Sequence, residues 1–112
     1  MKEIKAYIKP HKLIEVTLGL HEVEGLTGMS VIDARGFGRG RASGKRETAK
    51  DALDHTACMR IEIVCTDALV DPVIGAIREY AYTGLKGDGK IYVSDIQDAY
   101  RISTGERGEV AV

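Results

Sequence analysis

Cysteine is scarce in this chain of 112 residues: only Cys58 and Cys65 occur, with neither a CxxC pair nor a histidine at ligand spacing. Seven residues apart on one strand, they lie roughly 23 Å from each other on opposite faces, too far for a disulfide or a shared metal. No structural zinc site is expected. Charge of one sign is not in excess either, with 16 Lys and Arg against 17 Asp and Glu. That balance argues against a general nucleic-acid or membrane-surface role, which needs a basic surplus. No apolar run approaches the roughly 18 residues of a membrane span, and charges begin at Lys2, so neither a signal peptide nor an anchor is visible and a cytoplasmic protein is expected. The length suits one domain with one hydrophobic core.

What is present is a clear alternation of periods. Ile4, Ala6 and Ile8 alternate with Lys5, Tyr7 and Lys9, a first strand over 2–9. Pro10 suits the first turn of a helix, and Leu13, Val16, Thr17, Leu20 and Val23 follow at helical spacing until Gly25 supplies a stop. A second strand over 28–35 has apolar residues in both phases and is expected to be buried on parts of both faces. A third runs over 58–65, with Met59, Ile61, Ile63 and Cys65 on the core side and Cys58, Arg60, Glu62 and Val64 on the other. A helix over 69–82 points Val70, Val73, Ile74, Ile77, Tyr80 and Ala81 inward, with Asp71 as cap and Pro72 in its first turn. A fourth strand over 90–96 precedes a polar tail. The order β-α-β-loop-β-α-β predicts an α+β fold of the ferredoxin-like, double split βαβ kind: a four-stranded antiparallel sheet with two helices on one face. Its other face is left bare, and oligomerisation would bury it.

Three polar clusters stand out. Residues 37–57 form a long loop carrying Arg39, Arg41, Lys45, Arg46 and Lys50 against Glu47 and Asp51; it is read either as a solvated insertion or as a docking loop for an acidic or anionic partner. Residues 82–91, Tyr-Thr-Gly-Leu-Lys-Gly-Asp-Gly-Lys-Ile, are a glycine-rich turn ending on a lysine. By local chemistry this is a turn between helix and strand; equally, glycines let backbone N–H groups approach a phosphate and Lys90 adds charge there. The third cluster is Arg101 followed by Thr104-Gly105-Glu106.

Lys9-Pro10, Gly36-Phe37-Gly38-Arg39, Thr83-Gly84 with Gly87-Asp88-Gly89-Lys90-Ile91, and Arg101-Ile102-Ser103-Thr104-Gly105-Glu106 come in the order and near the spacing of PII signal-transduction proteins, the nitrogen regulatory protein P-II family. The chain resembles that family over essentially its whole length. The resemblance implies a homotrimer that binds ATP, ADP or AMP in clefts between subunits, with Mg2+ as a compatible companion. The long loop would be the T-loop, 82–90 the B-loop and 101–109 the C-loop. By the same resemblance Gly87, Asp88, Gly89 and Lys90 cradle phosphates, with Gly36 and Thr83 beside them. Arg101 of a neighbouring subunit and Arg39 add charge, and Glu62 and Val64 form the adenine side. Several cations with backbone donors neutralise a triphosphate that one lysine cannot.

Departures from the pattern narrow the reading. All five tyrosines, Tyr7, Tyr80, Tyr82, Tyr92 and Tyr100, lie outside the long loop, so control by uridylylation of a loop tyrosine is not expected. Gly40 and Cys58 stand where members that sense 2-oxoglutarate carry a metal-binding glutamine and a carboxylate-pairing lysine, so that site is expected to be impaired or absent, with Arg60 or Arg41 as conceivable substitutes. Ser103 replaces a second C-loop arginine, and Arg107 is the nearest compensating cation. The favoured function is a divergent PII-like regulator, not an enzyme, whose basic loop (Arg41, Lys45, Arg46, Lys50) orders or releases with nucleotide and controls a target, with a membrane transporter favoured. The alternatives are a nitrogen-metabolism regulator of an ammonium channel or of glutamine synthetase control, a slow nucleotide hydrolase using Asp88 or Glu62 as base, and a metal-binding interaction protein using His55 and Cys58 if that segment coils into a turn.

Overall fold

The computed structural model describes residues 1–38 and 55–112. In chain order they form β1 (Lys2–Ile8), a 3-10 turn (Pro10–Lys12), α1 (Leu13–His21), β2 (Ser30–Gly36), β3 (Thr56–Cys65), a second 3-10 turn (Asp67–Leu69), α2 (Val70–Ala81), β4 (Lys90–Asp95) and a last 3-10 turn (Glu109–Ala111). All three strand pairings are antiparallel and the sheet order is β2-β3-β1-β4. This is the expected double split βαβ arrangement.

Period-two alternation sets the core. Ile4, Ala6 and Ile8 of β1 are fully buried beside Ile61, Ile63 and Cys65 of β3, with Ile4 opposite Ile63 and Ala6 opposite Ile61. Val16 and Leu20 of α1 and Val73, Ile77 and Ala81 of α2 close over them. Each such aliphatic side chain contributes about 1.5–3 kcal/mol by leaving water. The helices pack against each other through Gly19, where an added Cβ would stand 2.2 Å from the Tyr80 ring, so this crossing accepts only glycine without a shift.

Four local expectations differ from the structure. α1 ends at His21, four residues before Gly25; the chain leaves through turns in which Val23 N–H donates to Leu20 and Leu26 N–H to Val23. Asp71 does not cap α2, because a 3-10 turn precedes the helix and places Leu69 at the cap with no side-chain bond. β3 begins at Thr56, so the end of the expected loop is already strand, paired through Ala57 with Arg35 and Thr56 with Gly36. β2 is not buried on either face within the protomer: it is an edge strand, and Val31 on its helix side is 42% exposed.

The face away from the helices carries Glu3, Lys5 and Tyr7 of β1, Arg60, Glu62 and Val64 of β3, and Lys90 and Tyr92 of β4. Register puts Lys90, Tyr7, Arg60 and Ile32 in one row and Tyr92, Lys5, Glu62 and Ser30 in the next. Tyr7 and Tyr92 meet edge to face with centroids 6.3 Å apart, and Glu3 and Lys5 pair at 3.5 Å. Among the described residues no helix is long and apolar enough to cross a membrane.

Candidate functional site

The glycine-rich turn is folded around one carboxylate. Thr83 N–H donates to Asp88 Oδ2 at 2.9 Å, Thr83 Oγ1 donates to Asp88 Oδ1, and Lys9 Nζ lies 3.2 Å from the same Oδ1. Thr83 Oγ1 also accepts from Lys9 Nζ and from Leu85 N–H, both at 3.1 Å, which fills its hydrogen-bonding capacity. The Thr83 hydroxyl, then its N–H, and lastly Lys9 hold the Asp88 carboxyl far below the usual carboxylate range, against a smaller opposing effect of burial. Gly84, Gly87 and Gly89 take positive φ, and a Cβ on Gly89 would fall 1.6 Å from the carbonyl oxygen of Tyr7. The turn is therefore pressed onto the end of β1 at one side and tied to the residue after β1 at the other.

Asp88 thus points into its own loop. The negative group is withdrawn, while Lys90 opens β4 as an exposed side chain with no carboxylate partner among the described residues. Backbone with positive-φ glycines beside an unpaired lysine fits a phosphate donor set. Asp88, Gly89 and Lys90 line a cleft of about 770 Å³ between α2 and the free edge of β4, with Ile74, Arg78 and Tyr82. Arg78 was missed in the sequence; its signal was a basic residue in the last turn of a helix leading into the glycine turn.

Glu62 and Val64 line a different cleft, of about 620 Å³, with Met29, Ser30, Tyr100 and Val112. Glu62 is not a free carboxylate: Arg60 Nε lies 3.1 Å from its Oε1, so Arg60 is committed to that pair. Arg60 Nε is buried and makes no well-directed hydrogen bond, so the contact is an ion pair by proximity. On the bare face Glu62 and Lys90 lie two strands and two residues apart, roughly 12 Å from standard sheet spacings. Gly36 ends β2, and a Cβ there would meet none of the described residues within 4 Å, so nothing among them demands glycine at that position.

Arg101 belongs to a C-terminal hairpin. Its N–H donates to Glu106 O at 2.9 Å, Gly105 N–H returns to its carbonyl at 2.8 Å, and its guanidinium donates to Val110 O at 3.2 Å. The Thr-Gly-Glu run is turn chemistry: Thr104 Oγ1 donates to Glu106 at 2.8 Å and Gly105 has positive φ. Arg107 is not a loose solvated charge, since it pairs with Asp98 at 2.7 Å and covers the Tyr100 ring. One protomer therefore brings Thr83, Gly87, Asp88, Gly89 and Lys90 together and leaves Glu62 with Val64, and Arg101, in separate places. Arg39, Arg41, Lys45, Arg46 and Lys50, with Gly40, lie outside the described residues.

The segment from His55 to Cys58 does not coil into a turn. Cys58 is in β3 opposite Ala34, and His55 stacks on Phe37 with centroids 6.0 Å apart. Among the described residues no three His, Cys, Asp or Glu side chains gather to hold a metal.

A double split βαβ domain with a glycine-rich turn on its rim and its polar clusters held apart belongs to the class of small ferredoxin-like α+β domains. The chain is a member of the nitrogen regulatory protein P-II family, whose model matches residues 1–106. It is 49% identical to nitrogen regulatory protein P-II of Rhodospirillum rubrum, 47% to that of Pasteurella multocida and 45% to that of Azospirillum brasilense, in each case over the full length of both chains. Proteins of this family are signalling proteins rather than enzymes; they respond to small-molecule effectors, act on target proteins and form oligomers.

Proposed function

We propose that this protein is a cytoplasmic regulator that binds ATP, ADP or AMP between subunits of a homotrimer and uses its basic loop, Arg41, Lys45, Arg46 and Lys50, to control a target protein. The observation that carries this reading is the glycine turn whose only carboxylate faces inward beside an exposed Lys90 that has no carboxylate partner among the described residues. The separation of the two clefts is compatible with a shared site, in which Glu62 and Val64 of one copy would face the glycine turn of another. Gly36, with no packing reason among the described residues, suits close approach by a ligand or a second chain. In this reading Arg39 and the partner copy's Arg101 complete the charge around the phosphates, and Mg2+ accompanies ATP. Of the two substitutes for the 2-oxoglutarate lysine, Arg60 is already paired with Glu62, and Arg41 lies outside the described residues.

Calorimetry with ATP, ADP and AMP tests this. Lys90→Ala should weaken ATP by about 10- to 100-fold, as loss of a charge-assisted contact does. Negligible heats for all three nucleotides with the unaltered protein would sink the nucleotide reading, and a monomer mass by light scattering would sink the shared cleft.

For the target, a membrane transporter is favoured on the loop's lack of tyrosine. A second reading, a nitrogen-metabolism target, is favoured by 45–49% identity over full length to proteins named for nitrogen regulation. An ammonium channel satisfies both. Pull-down from native membranes with and without ATP separates them: another transporter supports the first reading alone, and soluble enzymes alone count against it.

A further inference from the structure

Lys9 is a charged residue that nothing in the nucleotide reading uses. Its backbone is extended (φ −65°, ψ 137°), as the residue before a proline must be, and its carbonyl accepts from Lys12 N–H at 3.0 Å. The direction of its side chain is thereby set by the end of β1. Its stem runs beside Gly87, where an added Cβ would stand 3.7 Å from Lys9 Cε, and its ammonium ends between Thr83 Oγ1 at 3.1 Å and Asp88 Oδ1 at 3.2 Å. These contacts span more than seventy residues of sequence, so they fix the glycine turn to the sheet rather than to itself.

Charge gives the arrangement its sense. An ionised carboxylate at position 88 folds the turn through Thr83, yet it lies within the segment that is to receive an anion. Left alone it would repel phosphate at short range. Lys9 cancels that charge from beneath, with two of its three N–H donors spent inside the loop.

We propose that Lys9 is a positioning residue for nucleotide binding: by pairing with Asp88 and Thr83 it neutralises the loop's own carboxylate and holds residues 83–90 in the shape that receives phosphates. The proposal rests on the nucleotide reading and assigns Asp88 and Thr83 to shaping the loop rather than touching the ligand.

The test is ATP calorimetry on the full chain with hydrogen exchange at the Leu85 amide, which donates to Thr83 Oγ1. Lys9→Met should weaken ATP by about 10-fold and speed Leu85 exchange. Adding Asp88→Asn removes the stranded charge while keeping an acceptor for Thr83, so the double variant should bind better than Lys9→Met alone. If the double variant binds no better, Lys9 contacts phosphate itself and the positioning role is overturned. Unchanged affinity in Lys9→Met overturns it as well and leaves the nucleotide reading standing. Absence of ATP binding in the unaltered protein removes both. Should Lys9→Met fail to fold, Thr83→Val against Thr83→Ser decides: valine should lose affinity and serine retain it, and equal affinities overturn the proposal.

Discussion

Residues 83–90 turn on three glycines with positive φ, Gly84, Gly87 and Gly89, while residues 100–108 turn on two, Gly105 and Gly108. In sequence both are polar, glycine-punctuated stretches ending near a basic residue. Their supports differ. The first is tied to β1 by Lys9 and by the contact of Gly89 with Tyr7 O, partners far away along the chain. The second is closed by bonds that reach at most nine residues, Arg101 to Glu106 and to Val110, Arg107 to Asp98, and its glycines face open space. The glycine turn thus has the shape of the sheet built into it, whereas the hairpin carries its own shape and presents it outward. If Arg101 works on a neighbouring copy, a self-closed hairpin is the suitable carrier for it.

The sharpest way to break this contrast is to add one methyl group to each. Gly89→Ala drives a Cβ into the Tyr7 carbonyl at a positive φ and should cost about 3 kcal/mol or more, combining overpacking with left-handed backbone strain. Gly105→Ala meets no atom and should cost only the strain, about 1–2 kcal/mol. Urea unfolding of both variants measures the difference. Equal costs would mean that the turn is no more tightly built than the hairpin.

Acid should separate the two regions next. Asp88 is held low by the Thr83 hydroxyl foremost, and Asp98 by Arg107 foremost. A carboxyl whose folded-state pKa lies below its unfolded value of about 3.9 contributes stability that is complete above that value and lost as pH falls through the folded one. Asp88, the more strongly depressed, should therefore titrate at lower pH than Asp98 in carboxyl-detected NMR. Asp88→Asn should flatten part of the stability loss between about pH 4 and pH 2. An Asp88 that titrates alongside Asp98 would remove the distinction between the two supports.

Much of the fold was legible because it rests on local period. Ile4, Ala6 and Ile8, and Ile61, Ile63 and Cys65, announce their buried faces by alternation, and α2 by its apolar stripe. What failed was set by neighbours that the local pattern does not reveal. Val31 looks like a core residue but stands on an edge strand beyond the reach of the helices. Asp71 looks like a cap, yet a 3-10 turn shifted the helix start. The glycine turn was legible as a turn, since Gly87-Asp88-Gly89 is a turn signal, whereas a phosphate there was implied only by the family resemblance. The inward orientation of Asp88 was not legible, because the five-residue spacing to Thr83 matches no common turn pattern and its second partner, Lys9, lies far away in the sequence. Arg107 escaped for the opposite reason: its partners Asp98 and Tyr100 are close by, but an arginine near an acid on the surface is too common a pattern to stand out.

The smallest effect is expected where the hairpin's side chains alone are cut. Arg107 joins Asp98 through both Nε and Nη2 at 2.7 Å and lies 5.3 Å over the Tyr100 ring, on an exposed surface where ion pairs add little. Arg107→Ala should therefore move the urea midpoint less than Gly105→Ala does, and the Tyr100 ring resonances should shift while the backbone bond from Arg101 to Glu106 persists. Because that bond and the Val110 contact place Arg101, ATP affinity should stay within about 2-fold of the unaltered protein, below what loss of one charged contact produces. A larger loss would show that Arg107 itself meets the ligand, making it the second cation that Ser103 does not supply, and the hairpin would then carry two charges to its neighbour instead of one.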